Sequence, residues 1–456
     1  MIDKTIQEIS ALLNASCIQD SPDQRIHGVC IDSREIQKDN LYIPLIGQKV
    51  DGHTFIESVK EKGCRASLWQ KDHLPYPKEI ALVLVEDTLQ ALQQLAKAYL
   101  NTLHCLVIGV TGSNGKTSCK DMLYSIFSQE KKTQKTQGNR NNEIGLPLTI
   151  LEFDSDVEVA ILEMGMENKG EIDFLCSIAP PDISIITTIG SAHMENLGGK
   201  KQIAQAKLEI LENLKPGGLF LYDKDSPEID DCLQEMNIDL TKKVVSFGTG
   251  GDICLTSDVQ TIEDHIEFTC SCLDEKIVVS TLGLVQAKNA LPCIYIALQK
   301  GIHSSSILEG LAHLDMTKMR MQLYSAQKAK ILDDSYKSNP ESAKAAIDAL
   351  MSLPSSLHVA CLSDMLDLGE EELNLHAQIG AYATQKGVDV LLGTGERTKQ
   401  TVASFHGKSA LWFETKEEMI KIARTFLNQE CVILVKGSRA MAMDEVVNAL
   451  RGNQNE

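Results

Sequence analysis

"VIGVTGSNGKTSCKDML", residues 107–123, connects an apolar run to an amphipathic run through a short segment that contains two glycines, an asparagine, a lysine and hydroxyl residues. Glycines let backbone N–H groups approach phosphate oxygens, the lysine adds positive charge, and a threonine hydroxyl can bind Mg²⁺. The pattern predicts a strand, a phosphate-binding loop and a helix, with ATP as the ligand. The residues that we assign to ATP from this loop are Gly112, Ser113, Asn114, Gly115, Lys116, Thr117 and Ser118.

The loop differs from the strict G-x-x-x-x-G-K-[ST] spacing of phosphate-binding loops. The first glycine of that spacing would fall at Val110, whereas the sequence has Gly109 one residue earlier and Gly112 in the middle of the loop. The alternative interpretation is a helix N-terminus that is merely well capped. The preceding strand, the inner glycine and the hydroxyl residues favour phosphate binding.

On both sides of this loop, apolar segments typical of buried strands alternate with helical patterns. Residues 101–312 contain CLVIGV, EVAILEMG, ISIITTIG and LFLYD, which is the order expected of a parallel sheet with crossover helices. Residues 313–456 repeat this alternation, which predicts a second, Rossmann-like domain. Residues 1–100 form a smaller α/β module. The predicted fold class is therefore α/β with three domains.

The composition excludes several classes of protein. The formal net charge of −19 over 456 residues argues against a nucleic-acid partner, because nucleic acid attracts a basic surface. No apolar run reaches the roughly 18 residues of a membrane span, and the N-terminal stretch is amphipathic rather than a basic, apolar leader. The 13 cysteines are scattered without C-x-x-C spacing, so neither a disulfide framework nor a zinc site is favoured. We expect a cytoplasmic protein.

The loop variant T-G-S-N-G-K-T-S resembles that of the Mur ligases of peptidoglycan synthesis. Further segments resemble the uridine-nucleotide, central ATPase and C-terminal domains of this family. In chain order they are DSREIQKDNLYIPLIGQKVDGHTFI (32–56), GNRNNEIGLPLTIL (138–151), AILEMGMENKGEI (160–172), ILDDSYKSNPESAKAAI (331–347) and LVKGSRAMAMDEVV (434–447). The N-N-E-I-G-L-P and D-D-S-Y-x-x-N-P motifs are similar to those of the members that add D-alanyl-D-alanine.

The resemblance implies an ATP-dependent ligase that adds D-alanyl-D-alanine to UDP-N-acetylmuramoyl-tripeptide through an acyl phosphate, giving the UDP-muramyl-pentapeptide. It implies a monomer whose ligands are ATP, two magnesium ions and these two small-molecule substrates. It also assigns Asn289, Arg320 and Asp334 to ATP. The substrate residues that it implies are Ser33 and Arg34 for the uridine nucleotide, Asn142 and Glu143 in the active-site loop, and Lys436, Ser438 and Arg439 for the dipeptide. A KGSR segment at a strand end is equally typical of a surface turn.

Four residues are candidates for catalysis and metal binding. Besides Lys116, the residue pattern points to Glu163, which ends an apolar strand where its carboxylate and the Thr117 hydroxyl can hold one magnesium ion. The resemblance implies that His193 and Lys207 hold a second ion, with Lys207 carbamylated by CO₂, because a bare ammonium cannot ligate a metal. From composition alone, His193 is typical of a structural histidine and Lys207 of a solvated helix lysine.

The sequence also departs from the family pattern. Val285 and Gln286 replace a histidine and an asparagine in the adenine segment, and Thr188 replaces a common asparagine. Lys337 and Ser338 interrupt the usual DDSYNANP motif. None of these is a proposed phosphate or metal ligand, so we expect altered nucleotide affinity rather than loss of activity.

Other functions share some of these features. The diamino-acid-adding Mur ligase would be expected to show a D-N-P-R type motif, which is absent from the sequence. A folylpolyglutamate synthetase or a cyanophycin-type ligase shares the ATPase chemistry but does not need the N-terminal module. A binding or regulatory ATPase without ligation is a further alternative, and a nucleic-acid ATPase is disfavoured by the charge.

Overall fold

The computed structural model describes residues 1–18, 23–191, 194–236 and 243–452. These residues form three larger sheets flanked by helices, together with a two-stranded and a three-stranded antiparallel sheet. The predicted α/β class with parallel sheets is therefore confirmed. None of the helices in the described ranges combines the length and the apolar character that crossing a bilayer requires.

The N-terminal part contains a five-stranded sheet with the order β2-β7-β6-β5-β4 and a β1-β3 pair. Its elements are β1 (Asp3–Thr5), α1 (Ile6–Leu13), β2 (Ser16–Ile18), β3 (Arg25–His27), β4 (Val29–Cys30), β5 (Leu41–Tyr42), α2 (Ile56–Glu61), β6 (Ala66–Gln70), β7 (Ala81–Val85) and α3 (Thr88–Leu103). The buried face of α3 packs on α1 and on α5 (Gly145–Leu151) in a core that continues into the central part. This packing fixes the N-terminal sheet against the central one.

The central part is built on six parallel strands in the order β13-β12-β11-β8-β10-β9. Its elements are β8 (Leu106–Thr111), α4 (Lys116–Phe127), β9 (Thr133–Lys135), α5 (Gly145–Leu151), β10 (Val159–Glu163), α6 (Glu171–Ile178), β11 (Ile183–Ile186), α7 (Met194–Leu197), α8 (Lys200–Leu208), β12 (Leu219–Asp223), α9 (Pro227–Glu235) and β13 (Lys243–Phe247). The interior strand β8 is almost entirely buried, which explains its continuous apolar run.

The register of these strands determines where a ligand can bind. Val110 lies opposite Glu163 and Thr111 lies opposite Ile186, so the carboxyl ends of β8, β10 and β11 meet at one edge. The chain places β10 on one side of β8 and β11 on the other. In open α/β sheets, such a reversal of strand order leaves a crevice at the carboxyl edge in which ligands bind.

An antiparallel sheet follows the parallel one, which the simple alternation of strands and helices did not predict. It comprises β14 (Gln260–Ile262), β15 (His265–Cys270) and β16 (Leu273–Val279), and it is followed by α10 (Leu284–Gln299) and α11 (Ser304–Ala312). Its buried residues join α4, α10 and α11 in the core on one face of the central sheet. The short sheet therefore covers apolar surface that the crossover helices leave open.

The C-terminal part is a six-stranded sheet in the order β17-β18-β22-β19-β20-β21, parallel except for the edge strand β17. Its elements are β17 (Gln322–Ala326), β18 (Ala329–Asp334), α12 (Pro340–Ser352), β19 (His358–Ser363), α13 (Glu372–Lys386), β20 (Val390–Thr394), α14 (Thr398–Ala403), β21 (Ser409–Phe413), α15 (Lys416–Thr425), β22 (Cys431–Lys436) and α16 (Asp444–Arg451). Helices cover both faces, as in a doubly wound fold.

A buried ion pair joins α4 to the segment that leads into the C-terminal sheet. Asp121 of α4 is fully buried and accepts hydrogen bonds from Lys135 Nζ and from the Thr317 backbone N–H, both at 2.8 Å. Lys135 also donates to the Asp315 carbonyl at 3.1 Å. The helix that follows the predicted phosphate-binding loop thus holds the linker directly.

Replacing Asp121 with asparagine is expected to lower the free energy of unfolding by about 3 kcal/mol, because the loss of one partner leaves a buried charge uncompensated. Asp315→Asn is the matched control. Its side chain is 77% exposed and lies 3.5 Å from the same lysine, so a change below about 1 kcal/mol is expected. Urea unfolding of both variants measures the difference, and equal stability of Asp121→Asn and the parent would contradict the role of the pair.

Candidate active site

A cavity of about 1290 Å³ lies at the carboxyl edge of the central sheet and is closed on one side by the C-terminal part. The structure brings most of the predicted site residues into its lining. These are Ser113, Asn114, Gly115, Lys116, Thr117, Ser118, Asn142, Glu143, Glu163, Asn289, Arg320, Asp334, Lys436, Ser438 and Arg439. The sequence alone could place them at strand ends but could not bring the two sheets together.

The predicted phosphate-binding loop connects β8 to α4. Gly112 has φ +148°, and a Cβ there would lie 1.9 Å from Thr187 Oγ1, so only glycine fits. Gly115 has φ +84° and precedes the first helical residue, Lys116, whose Nζ donates to the Gly112 carbonyl at 2.7 Å. The loop is therefore folded back over its own lysine.

The start of α4 has the electrostatic properties of an anion site. Its first turn has no side-chain cap, so backbone N–H groups remain open to a ligand, which favours phosphate binding over the capping alternative. Burial lowers the pKa of Lys116 to about 8; Glu163 opposes this shift, while the nearby Lys337 and Arg320 add to it. A phosphate would relieve this cost, because it supplies the missing negative charge.

Thr117 and Glu163 lie together on neighbouring elements at the strand ends. Both are almost fully buried, and Thr117 Oγ1 donates to Glu163 Oε2 at 2.9 Å. Asn141 Nδ2 donates to Glu163 Oε1 at 2.8 Å and thereby orients the carboxylate. A buried carboxylate and a hydroxyl are hard oxygen donors, so this pair fits a magnesium ion.

Sequence reasoning missed Lys120, which lies one helical turn after Lys116. Its side chain is fully buried, with Nζ 3.9 Å from Glu163 Oε2 and 3.6 Å from Asp121 Oδ1. Nζ has no hydrogen-bond partner among the described residues. The i,i+4 spacing of the two lysines on one helix was the available signal.

Lys207 is buried at the end of α8, with 2% of its surface exposed, so the solvated-lysine interpretation is wrong. Burial lowers its pKa well below the ordinary value, and the neighbouring cations Lys116 and Lys337 lower it further. Lys207 is not among the residues that line the cavity. The other residue assigned to the second ion, His193, lies outside the described residues.

The C-terminal part contributes residues that the sequence did not single out. Asn339 caps α12, with its Oδ1 accepting from the Ser342 backbone N–H, while its Nδ2 donates to Asn114 Oδ1 at 2.8 Å. Glu341 Oε1 accepts from the Ser191 hydroxyl at 2.8 Å. The start of α12 therefore contacts the phosphate-binding loop and the loop after β11.

Two of the predicted residues of the C-terminal part, Lys436 and Asp334, pair with each other. Lys436 Nζ lies 2.5 Å from Asp334 Oδ2 and also donates to the Lys337 carbonyl. Arg320 lies over the Tyr336 ring at 4.4 Å. These contacts hold three cationic or aromatic side chains at the C-terminal wall of the cavity.

The predicted adenine residue, Asn289, lies on α10 next to the loop. Its Nδ2 donates to Gln286 Oε1 at 3.2 Å, and Val285 and Gln286 both line the cavity. Beside them, Lys288 Nζ pairs with Asp223 at 2.6 Å and with Asp225 at 2.8 Å, a triad that sequence reasoning did not identify.

Ser33 and Arg34 are not in the cavity lining. The Arg34 side chain is 87% exposed and pairs with Asp32 at 2.6 Å, and hydrogen bonds from Arg34 lower the pKa of Asp32 to about 2. Lys62 Nζ donates to the carbonyls of Ser33 and Arg34. The N-terminal part instead reaches the cavity through Gln93, whose Nε2 donates to the Glu143 carbonyl at 3.1 Å.

Most of the chain is similar in sequence to the domains of one protein family. Residues 25–100 match "Mur ligase family, catalytic domain", residues 110–297 match "Mur ligase middle domain", and residues 319–439 match "Mur ligase, glutamate ligase domain". These three ranges together contain the loop, Glu163, and the Asp334 and Lys436 pair.

Similar ligase sequences and similar solved structures extend this similarity to the whole chain. The UDP-N-acetylmuramoyl-tripeptide–D-alanyl-D-alanine ligase of Bacillus subtilis is 36% identical over 457 residues, covering 99% of each chain, and that of Escherichia coli is 30% identical with the same coverage. Among solved structures, MurF from Acinetobacter baumannii superposes with a TM-score of 0.89 at 27% identity over 99% of each chain. The MurF ligase of Thermotoga maritima in complex with ADP gives 0.83 at 26% identity, covering 94% of this chain and 97% of that one.

Proposed function

Because the chain belongs to the Mur ligase family, we propose that it is the ATP-dependent ligase that adds D-alanyl-D-alanine to UDP-N-acetylmuramoyl-tripeptide, giving the pentapeptide precursor of peptidoglycan. The observation that carries this proposal is the full-length similarity to two ligases of that activity. The cavity supports it, because it places a phosphate-binding loop, a carboxylate and C-terminal cations around one space. We further propose a cytoplasmic monomer without a nucleic-acid partner.

The reaction must activate a carboxylate, because a carboxylate does not react with an amine at neutral pH. The γ-phosphoryl group of ATP passes to the terminal carboxylate of the tripeptide, releasing ADP and forming an acyl phosphate. The neutral amine of D-alanyl-D-alanine then attacks the acyl carbon, a C–N bond forms, and phosphate leaves from the tetrahedral intermediate as the amine loses its proton. Lys116 stabilises the negative charge that develops in both steps.

Thr117 and Glu163 would hold one magnesium ion at the strand ends, and His193 and a carbamylated Lys207 a second. When bound, these ions neutralise phosphate charge and align the reacting oxygens. Carbamylation joins the neutral amine of Lys207 to CO₂ and releases a proton. Burial and the neighbouring cations Lys116 and Lys337 favour that neutral amine. The same two cations would also stabilise the negative charge of the carbamate.

The tripeptide end and the dipeptide would lie in the cavity, and the uridine nucleotide would extend out of it along the N-terminal part. Ser33 and Arg34 would bind the uridine nucleotide, and Asn142 and Glu143 the tripeptide end near the loop. Ser438 and Arg439 would lie near the dipeptide with Lys436. Because Lys436 already pairs with Asp334, a dipeptide carboxylate would compete with that aspartate for the same ammonium group.

Phosphate release measured with each muramyl-peptide precursor and each amine tests the proposed function. Turnover is expected only with UDP-N-acetylmuramoyl-tripeptide and D-alanyl-D-alanine together. Turnover with the dipeptide precursor and a diamino acid, or with folate and glutamate, would identify one of the alternative ligases. Phosphate release that is independent of any amine would exclude ligation.

Val285→His combined with Gln286→Asn is expected to lower the KM for ATP by about 2- to 10-fold, the effect of one added hydrogen bond at the adenine. Val285 and Gln286 line the cavity beside Asn289, where a histidine and an asparagine are usual in the family. Val285→Leu is the matched control, because it adds no polar atom, and its KM should not change. An unchanged KM in the double variant would mean that these residues do not face the base.

A further inference from the structure

Two histidines and an aspartate lie close together in the N-terminal part, away from the cavity. Asp51 ends the turn before a short 3-10 helix that contains His53, and His73 lies in the loop after β6. One donor atom of each residue lies within 4.8 Å of the others. The Asp51–His53–His73 cluster was not identified from the sequence, because the two histidines are twenty residues apart and belong to different elements.

The side chains of the cluster are held in place by their neighbours. The rings of His53 and His73 are stacked with centroids 4.2 Å apart and planes 19° apart. Trp69 makes T-shaped, edge-to-face contacts with both rings, and its Nε1 donates to the His73 carbonyl at 2.8 Å. Tyr42 OH donates to the Gly52 carbonyl at 2.8 Å and fixes the turn on the other side. Trp69 and Tyr42 therefore hold the turn and the loop together, and the His73 ring, which is 36% exposed, would turn out of the stack so that its in-plane lone pair reaches the same ion as His53.

The spacing of the donor atoms differs from that of a hydrogen-bonded cluster. His53 Nδ1 lies 2.7 Å from Asp51 Oδ1, which is a hydrogen-bond distance, but His73 Nδ1 lies 3.8 Å from Asp51 Oδ2, which is too long for one. Two ligands of one ion with bonds of about 2.1 Å lie about 3.0 to 3.6 Å apart. Both histidine–aspartate distances lie within a few tenths of an ångström of that range.

The chemistry of the three donors selects the kind of ion. Two imidazole nitrogens and one carboxylate oxygen suit Zn²⁺, Co²⁺ or Ni²⁺, whereas Mg²⁺ and Ca²⁺ prefer oxygen alone. His53 is buried, whereas the side chains of Asp51 and His73 are 29% and 36% exposed, so an ion can enter from the solvent side. The formal net charge of −19 also attracts cations to the protein.

We propose that Asp51, His53 and His73 form a binding site for a divalent transition-metal ion, with Zn²⁺ as the natural occupant and a water molecule completing its coordination. The ion would link the turn at residues 51–53 to the loop that contains His73. It would stabilise the N-terminal part by mass action, because it binds the folded chain and not the unfolded one. This site is separate from the proposed magnesium ligands Thr117 and Glu163.

Co²⁺ titration of the full-length protein in excess Mg²⁺ tests the proposal through the visible absorption of the bound ion. One equivalent is expected to bind in the parent and to raise the thermal unfolding temperature. His73→Ala should weaken this binding by at least about a hundredfold, because it removes a ligand. Asp51→Asn should weaken it too, while its amide oxygen keeps the hydrogen bond from the His53 backbone N–H.

Two control variants separate this site from others. His27→Ala removes an exposed histidine of the same N-terminal part, and Glu163→Gln alters the cavity; both should bind Co²⁺ as the parent does. Equal binding by His73→Ala and the parent would overturn the proposal. So would an absorption band that is lost in Glu163→Gln and kept in His73→Ala.

Discussion

Replacing Lys116 with alanine is expected to lower the ligation rate by at least about a hundredfold, the cost of losing one electrostatic stabiliser of the transition state. The same change should leave the thermal unfolding temperature unchanged or higher. The reason is that burial lowers the pKa of Lys116 to about 8, so the ammonium is costly in the folded protein before a phosphate binds. Steady-state kinetics and thermal unfolding of one sample measure both effects.

An exposed lysine gives the control for this experiment. Lys169 is exposed and lies in the chain between Glu167 and Gly170, which line the cavity, and Lys169→Ala should retain the parent rate. Near-normal turnover of Lys116→Ala would show that the loop does not stabilise the transferred phosphoryl group. A large loss of stability would show that the lysine is mainly structural.

Replacing Lys207 with alanine is expected to remove most of the activity. The variant would lack the carbamate oxygens proposed to hold the second magnesium ion, and no other described residue would replace them. Acetate added to the alanine variant should restore part of the rate by providing a carboxylate in the vacated space. Lys207→Arg should not respond to acetate, since the guanidinium keeps its charge and fills the space. Ligation rates measured over a range of acetate concentrations give the result.

Two comparisons make the Lys207 experiment specific. Lys201→Ala removes a lysine from the same helix whose side chain is 48% exposed, and it should keep the parent rate. Acetate should not restore Lys116→Ala, because that variant lacks a cation rather than an anion. If Lys207→Ala ligates at the parent rate, the second metal site is absent from the mechanism.

The parts of the fold that follow local rules could be predicted from the sequence. The apolar run before Gly112 predicted a buried parallel strand, and Gly112 and Gly115 predicted the turn into α4. Glu163 was identified because a carboxylate at the end of an apolar strand lies at the edge where ligands bind. The antiparallel sheet of β14 to β16 was missed, although HIEFTC alternates in the manner of a strand with one buried face.

The remaining site residues depend on contacts between distant segments. Asn339 and Asn114 are 225 positions apart, and their hydrogen bond exists only because the two larger parallel sheets pack against one cavity. The burial of Lys207 likewise could not be read from α8, whose own sequence has a polar majority. The periodicity of apolar residues indicates which face of a helix or strand is apolar. It does not indicate which other element covers the polar face.

The anchoring of Thr317 on Asp121 of α4, and of Asp315 on Lys135, has a consequence for building chimaeras between relatives. A C-terminal part exchanged at residue 313, just after α11, would bring a foreign linker to the buried carboxylate of Asp121. The linker of the foreign protein would then have to present a backbone N–H where Thr317 presents its own, 2.8 Å from Asp121 Oδ2. A junction placed after Thr317 and before β17 keeps the native linker with its own helix, so that only the sheet and its helices are exchanged.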